Sequence, residues 1–162
     1  IVVGEKSSVI GSTKGVKYQK PKEIHAKYYV REAKARGHQA EFRQEVLRAY
    51  ARKCAITGLA EERLLQAAHI IPDSELSGVQ TVNNGISLNY LHHRAYDTHL
   101  IGIDKDFNIH VSDELKAATN TPFARYGLID IEGKKIKLPR NQELHPNQDL
   151  LNRKFERFCL NN

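Results

Sequence analysis

"LLQAAHIIPDSE" (residues 64–75) is an apolar run that carries one histidine, His69, and stops at Pro72. Its length and composition predict a strand over residues 65–71. The imidazole inside it is either a hydrogen-bonded core histidine or a base held rigidly for chemistry, and the segment alone leaves both readings open. Downstream, "PDSELSGVQTVNN" (72–84) reads as a polar loop ending at Asn84. "GISLNYLHHRAYDTHL" (85–100) then reads as helical from about Ser87. A strand with His69, a loop with Asn84 and a helix with His92 and His93 therefore follow one another closely.

Working outward, "QAEFRQEVLRAYARK" (39–53) has the best helical period in the chain, with Phe42, Val46, Leu47, Ala49 and Tyr50 on one face. Arg43, Arg48, Arg52 and Lys53 are its outward cations. Residues 24–37 predict a separate short helix that Gly37 ends. Residues 1–23, rich in Gly, Ser, Lys and Val, read as an arm or linker with one short strand. "CAITGLAEERLL" (54–65) contains a tight turn at Gly58. Two hairpins are predicted, over 100–112 with a turn at Lys105–Asp106 and over 128–139 with a turn at Glu132–Gly133. Between them "SDELKAATN" (112–120) is a short helix capped by Ser112 or Asp113. The last segment, residues 146–160, is amphipathic, with Leu150, Leu151, Phe155 and Phe158 together. The pattern is α+β, since strands and helices do not alternate regularly. The expected organisation is an arm at 1–37, the end of an upstream domain in one reading, and a single domain at 38–162.

The 162 residues suit one domain, 40% of them apolar, with no Met and no Trp. No apolar run approaches the roughly 20 residues of a membrane span. No signal peptide is expected from "IVVGEKSSVIG". The chain begins at Ile1, so a longer protein with an upstream targeting domain is an expectation. A net charge of +6 and a pI of about 9.3 favour an anionic partner, of which nucleic acid is the commonest. Two cysteines, Cys54 and Cys159, cannot build a disulfide framework or a four-cysteine zinc knuckle. A reducing cytoplasm is the expected setting.

His69, Asn84 and His92–His93 are the residue types that phosphodiester hydrolysis needs. A neutral imidazole deprotonates water. A cation stabilises the pentacovalent phosphate and the leaving oxygen. An asparagine amide bonded to backbone can orient the base.

The spaced pattern "CAITG…LLQAAHIIPDSE…NNGISLNYLHHRAYD…LIGIDKDFNIHV" resembles the HNH endonucleases, which have a ββα-metal fold. It is most similar to the bacterial branch written A-H-I-x-P, N-G-x-x-L and H-H-x-x-(F/Y)-D, often found in restriction enzymes. The resemblance covers residues 36–112 closely, with a core at about 54–111. It implies a metal-dependent DNA endonuclease acting in restriction or defence. His69 matches the general base, Asn84 the middle asparagine that braces the loop, and His93 the metal ligand on the helix. Asp97, one turn beyond His93, matches a second ligand in some members and otherwise closes the helix. Mg²⁺ or Mn²⁺ is the implied cofactor, while Zn²⁺ or Ni²⁺ also suits a histidine site. DNA is the implied partner. Arg43, Arg48, Arg52, Lys53 and Arg94 are candidate backbone contacts. A homodimer would supply two sites for double-strand cleavage.

Two departures from the family pattern matter. Ala68 stands where many members place a metal ligand beside the base. The paired zinc cysteines are reduced to Cys54 and Thr57, with Asn89 and His92 at the second pair. No structural zinc is expected, and Cys54 reads as a small buried hydrophobe. His92 is either a structural residue or an assistant to the metal. Two other readings stay open: a non-catalytic DNA-binding module on the same scaffold, and a nuclease toxin with an acidic partner.

Overall fold

A computed structural model of the chain describes residues 24–75, 81–118 and 120–162. The arm and its short strand, expected over residues 1–23, lie outside the described residues. The chain divides into two compact units, Ile1–Lys34 and Ala35–Asn162. The candidate site and its packing lie within the second.

Helix α1 spans Ile24–Ala49, so the two helices expected on either side of Gly37 are one. A single glycine costs about 1 kcal/mol relative to alanine, too little to stop a helix that packs well. Its buried stripe is Phe42, Val46 and Leu47, continued by Tyr50 just past its end. The helix stops before residue 53 because Ala51 and Arg52 turn into the left-handed region, at φ 52° and 54°. Ala51 N–H then donates to Arg48 O at 3.0 Å and Arg52 N–H to Leu47 O at 2.7 Å. That is a Schellman ending built without the usual glycine.

Strand β1, Leu65–His69, pairs antiparallel with β2, Gly85–Asn89, and His69 lies opposite Gly85. The sequence reading had no strand at β2 and started the helix inside it. Four of its five residues are buried, Gly85 to Leu88, so no polar alternation marks it. Helix α2, Tyr90–Asp97, follows at once, with the Asn89 amide oxygen accepting from His92 N–H at 2.9 Å. It packs on both strands.

Strands β3, Ile101–Ile103, and β4, Ile109–Val111, form the first expected hairpin. Helix α3, Asp113–Ala118, is capped by Ser112, whose hydroxyl accepts from Leu115 N–H. After a short α4, Pro122–Ala124, comes the segment expected as the second hairpin. It does not pair with itself: its first part closes a π-helix, Arg125–Ile129, and runs into a turn at 130–133, where a strand was expected. Ile109 N–H donates to Lys134 O at 2.8 Å, Gly133 N–H to Ile109 O at 2.8 Å and Ile136 N–H to Phe107 O at 3.0 Å. Ile131 and Ile136 are buried in the core, so the segment lines the β3–β4 hairpin instead. Helix α5, Gln148–Leu160, packs on β3. A Cβ on Gly102 would come within 2.7 Å of the Phe158 ring, so this glycine is what seats α5 there. Among the described residues no helix is long and apolar enough to cross a membrane.

Gly85 has a similar task beside His69. A Cβ there would lie 2.5 Å from Val46 Cγ2 and 2.8 Å from Phe42 Cζ. Gly85→Ala therefore forces α1 away from the sheet and should cost about 1–3 kcal/mol, measurable by urea unfolding. Wild-type stability in that variant would show that α1 is not seated on β2 as described.

Candidate active site

The His69 side chain closes β1 and is half-buried, its ring stacked on Phe42 at 4.1 Å between centroids and 10° between planes. The backbone just beyond it is fixed by Asn84. This fully buried amide accepts from Ile71 N–H at 2.9 Å and donates to Ile71 O at 2.8 Å. The Asn84 carbonyl also accepts from Ile70 N–H at 2.9 Å. The loop from β1 to β2 is thus pinned at both ends to one residue, and β1 cannot slide.

His93 projects from α2 toward β1. Its Nδ1 is hydrogen-bonded to Gln66 Oε1. Nε2 lies 3.2 Å from Asp97 Oδ2. At that distance the two are joined either by a proton on Nε2 or by a cation between them. Burial pushes the Asp97 carboxyl up, but the hydrogen bond and charge of His93, followed by Lys154 and Arg94, hold it below its ordinary value.

This pair passes a geometric test for a divalent ion. Two donors at adjacent corners of an octahedral ion, each about 2.1 Å from it, are about 3.0 Å apart. A hydrogen bond from Nδ1–H to Gln66 would be the outer-shell support that a ligating imidazole usually has. An ion bound here would be held by His93 and Asp97 and would supply charge stabilisation at the phosphate. Among the described residues no three His, Cys, Asp or Glu side chains converge on one point.

His92 faces away from this pair. Its Nε2–H donates to Gly127 O at 2.6 Å, and its Nδ1 lies 3.8 Å from Cys54 Sγ. Burial would push the Cys54 thiol up, but hydrogen bonds from His92, Thr57 and the Asn89 backbone outweigh it and bring it down to about 6. Cys54 is buried as expected, yet it is one half of a polar pair with His92 rather than a plain hydrophobe.

No described contact joins His69 to His93 or Asp97. Of the candidate DNA contacts, Arg43 is spent inside the fold, its guanidinium donating to the carbonyls of Glu62 and Leu65 at 3.1 Å each. Arg52 pairs with Glu62. Arg48, Lys53 and Arg94 are exposed.

Two residues escaped the sequence reading. Gln66 carries no motif signal. Lys154, on α5, is only 8% exposed, and its ammonium lies 4.0 Å from Asp97 Oδ1 and 4.9 Å from the centre of the Tyr96 ring. Burial pushes that ammonium down, Asp97 pulls it back up, and Arg157 adds to the lowering. Its signal was legible: a lysine three residues after Leu151 and four before Phe158 falls on the apolar face.

The family described as HNH endonuclease matches residues 54–104, the segment that holds β1, β2 and α2. No curated protein and no solved structure matches the chain.

Proposed function

We propose that the chain is a metal-dependent endonuclease that hydrolyses DNA phosphodiester bonds with His69 as general base. The match of residues 54–104 to an endonuclease family supports nuclease activity on nucleic acids. The observation that carries the finer reading is the His93–Asp97 pair, 3.2 Å apart on α2, a spacing that two donors to one divalent ion would have. His69 would take a proton from water, and the water oxygen would form a bond to phosphorus. The bond to the 3′ oxygen breaks on the opposite side, and that oxygen takes its proton from solvent. A bound divalent ion supplies charge stabilisation for the phosphorane. In-line displacement puts the entering and leaving oxygens on opposite sides of phosphorus. His69 and the His93–Asp97 pair therefore need to flank the phosphate, not touch each other. Arg48, Lys53 and Arg94 would hold the DNA backbone, which gives affinity without sequence information. A role in restriction or defence rests on the likeness of the motifs to restriction-type members.

Supercoiled plasmid tests this. Nicking is expected with Mg²⁺ or Mn²⁺ and not with EDTA, and Asp97→Asn should slow it by about 10- to 100-fold at limiting metal. Nicking that ignores both EDTA and Asp97→Asn would overturn the reading. Ala68 favours one rival, since β1 offers no metal donor next to His69. DNA binding without cleavage in any divalent metal would make the chain a binding module.

A further inference from the structure

We infer that Lys154 keeps the affinity of the His93–Asp97 pair for a divalent cation low until DNA arrives, so that cation and substrate bind together. This rests on the reading of that pair as the cation seat. The two oxygens of Asp97 face two different partners: Oδ2 faces His93 Nε2 at 3.2 Å, and Oδ1 faces Lys154 Nζ at 4.0 Å. A unit charge at that distance repels a dication that approaches the other oxygen.

Lys154 cannot easily swing away. Its stem is buried, and its ammonium stands over the Tyr96 ring. The helix that carries it is held on β3 by Phe158 against Gly102. One turn on, Arg157 donates to Glu75 Oε1 at 3.0 Å in the segment after β1. A short turn thus ties α5 to the loop beyond His69, while Lys154 ties it to the end of α2.

A phosphodiester brings a negative charge to this point. Bound at the cation, near Lys154 but on the solvent side of Asp97, it attracts both and offsets their mutual repulsion. DNA should therefore tighten cation binding, and by reciprocity the cation should tighten DNA binding by the same factor. Lys154 lies outside the segment shared with the family, residues 54–104, so the device belongs to this chain's own C-terminal helix.

The test is a titration of the folded protein with Mn²⁺, following free Mn²⁺ by electron paramagnetic resonance. Lys154→Met keeps the buried stem and removes the charge, and it should bind Mn²⁺ about ten-fold more tightly than wild type. Lys154→Arg keeps the charge and should stay near wild type. In a His69→Ala background, which avoids cleavage, a short DNA duplex should raise Mn²⁺ affinity, and Lys154→Met should shrink that gain. Should Lys154→Met melt below the assay temperature, Lys154→Gln carries the same expectation. Equal Mn²⁺ affinity in Lys154→Met and wild type, with binding lost in Asp97→Asn and His93→Ala, would overturn the role of Lys154 and leave the cation seat standing. Unchanged binding in Asp97→Asn and His93→Ala would remove the seat itself, and this inference with it.

Discussion

His69→Ala should remain folded and bind DNA while cleaving it about 10²- to 10⁴-fold more slowly, the usual contribution of a positioned general base. The ring is half-buried and meets Phe42 face to face, so its loss removes one stacked contact from the margin of the core. Such a pair is worth about 0.5–1.5 kcal/mol, which a domain of this size should survive. Mn²⁺ affinity should be untouched, because the donors His93 and Asp97 sit on α2 and no described contact links them to His69. The clean measurement is a single-turnover nicking rate at saturating Mn²⁺, with unfolding and Mn²⁺ titrations on the same preparation. A rate equal to wild type would mean that another group activates the water. A slow rate accompanied by weak Mn²⁺ binding would mean that His69 acts through the cation seat and not as a base.

The site was more legible in the sequence than its frame, for a physical reason. His69, Asn84 and His93 carry chemistry that apolar residues cannot imitate, so their types and spacing stand out whatever the secondary structure. The elements between them depend on burial, which a single chain shows only through periodicity. β2 is buried at four of five positions, and a short apolar run of that kind reads equally well as helix. Asn89, as the cap of α2, was the available signal for the true helix start. α1 ends through left-handed Ala51 and Arg52, where glycine would have announced the stop. Over residues 128–139 only the half after Gly133 is extended; the strand expected before the turn is the end of a π-helix, Arg125–Ile129, and a turn, which the apolar run did not distinguish. Which strand edge accepts those hydrogen bonds is a tertiary fact. Lys154 marks the opposite case: a charge on an apolar face was visible, but its target, Asp97, lies on another helix.

The second large effect falls on stability, at Asn84. Its amide is fully buried and exchanges two hydrogen bonds with the backbone of Ile71, at 2.9 and 2.8 Å. Ile71 is itself buried, so in Asn84→Ala its N–H and C=O lose their partners together. Each such group costs about 1–3 kcal/mol, which puts the variant at about 2–6 kcal/mol of lost stability by urea unfolding. Leu, though near in volume, should fare no better, since it supplies neither donor nor acceptor. Asn84→Asp separates the two bonds: it keeps an acceptor for Ile71 N–H but sets a carboxylate oxygen against Ile71 O, so it should also destabilise. Under conditions where Asn84→Ala is still folded, cleavage should fall while Mn²⁺ affinity holds. The reason is that the pinned residue lies two positions beyond His69, whereas the His93–Asp97 pair is held by Gln66 and α2. A loss below about 0.5 kcal/mol would fit an ordinary surface substitution and contradict the clamp. Equal losses of cleavage and Mn²⁺ binding would instead make Asn84 a general support of the fold, with no particular hold on the end of β1.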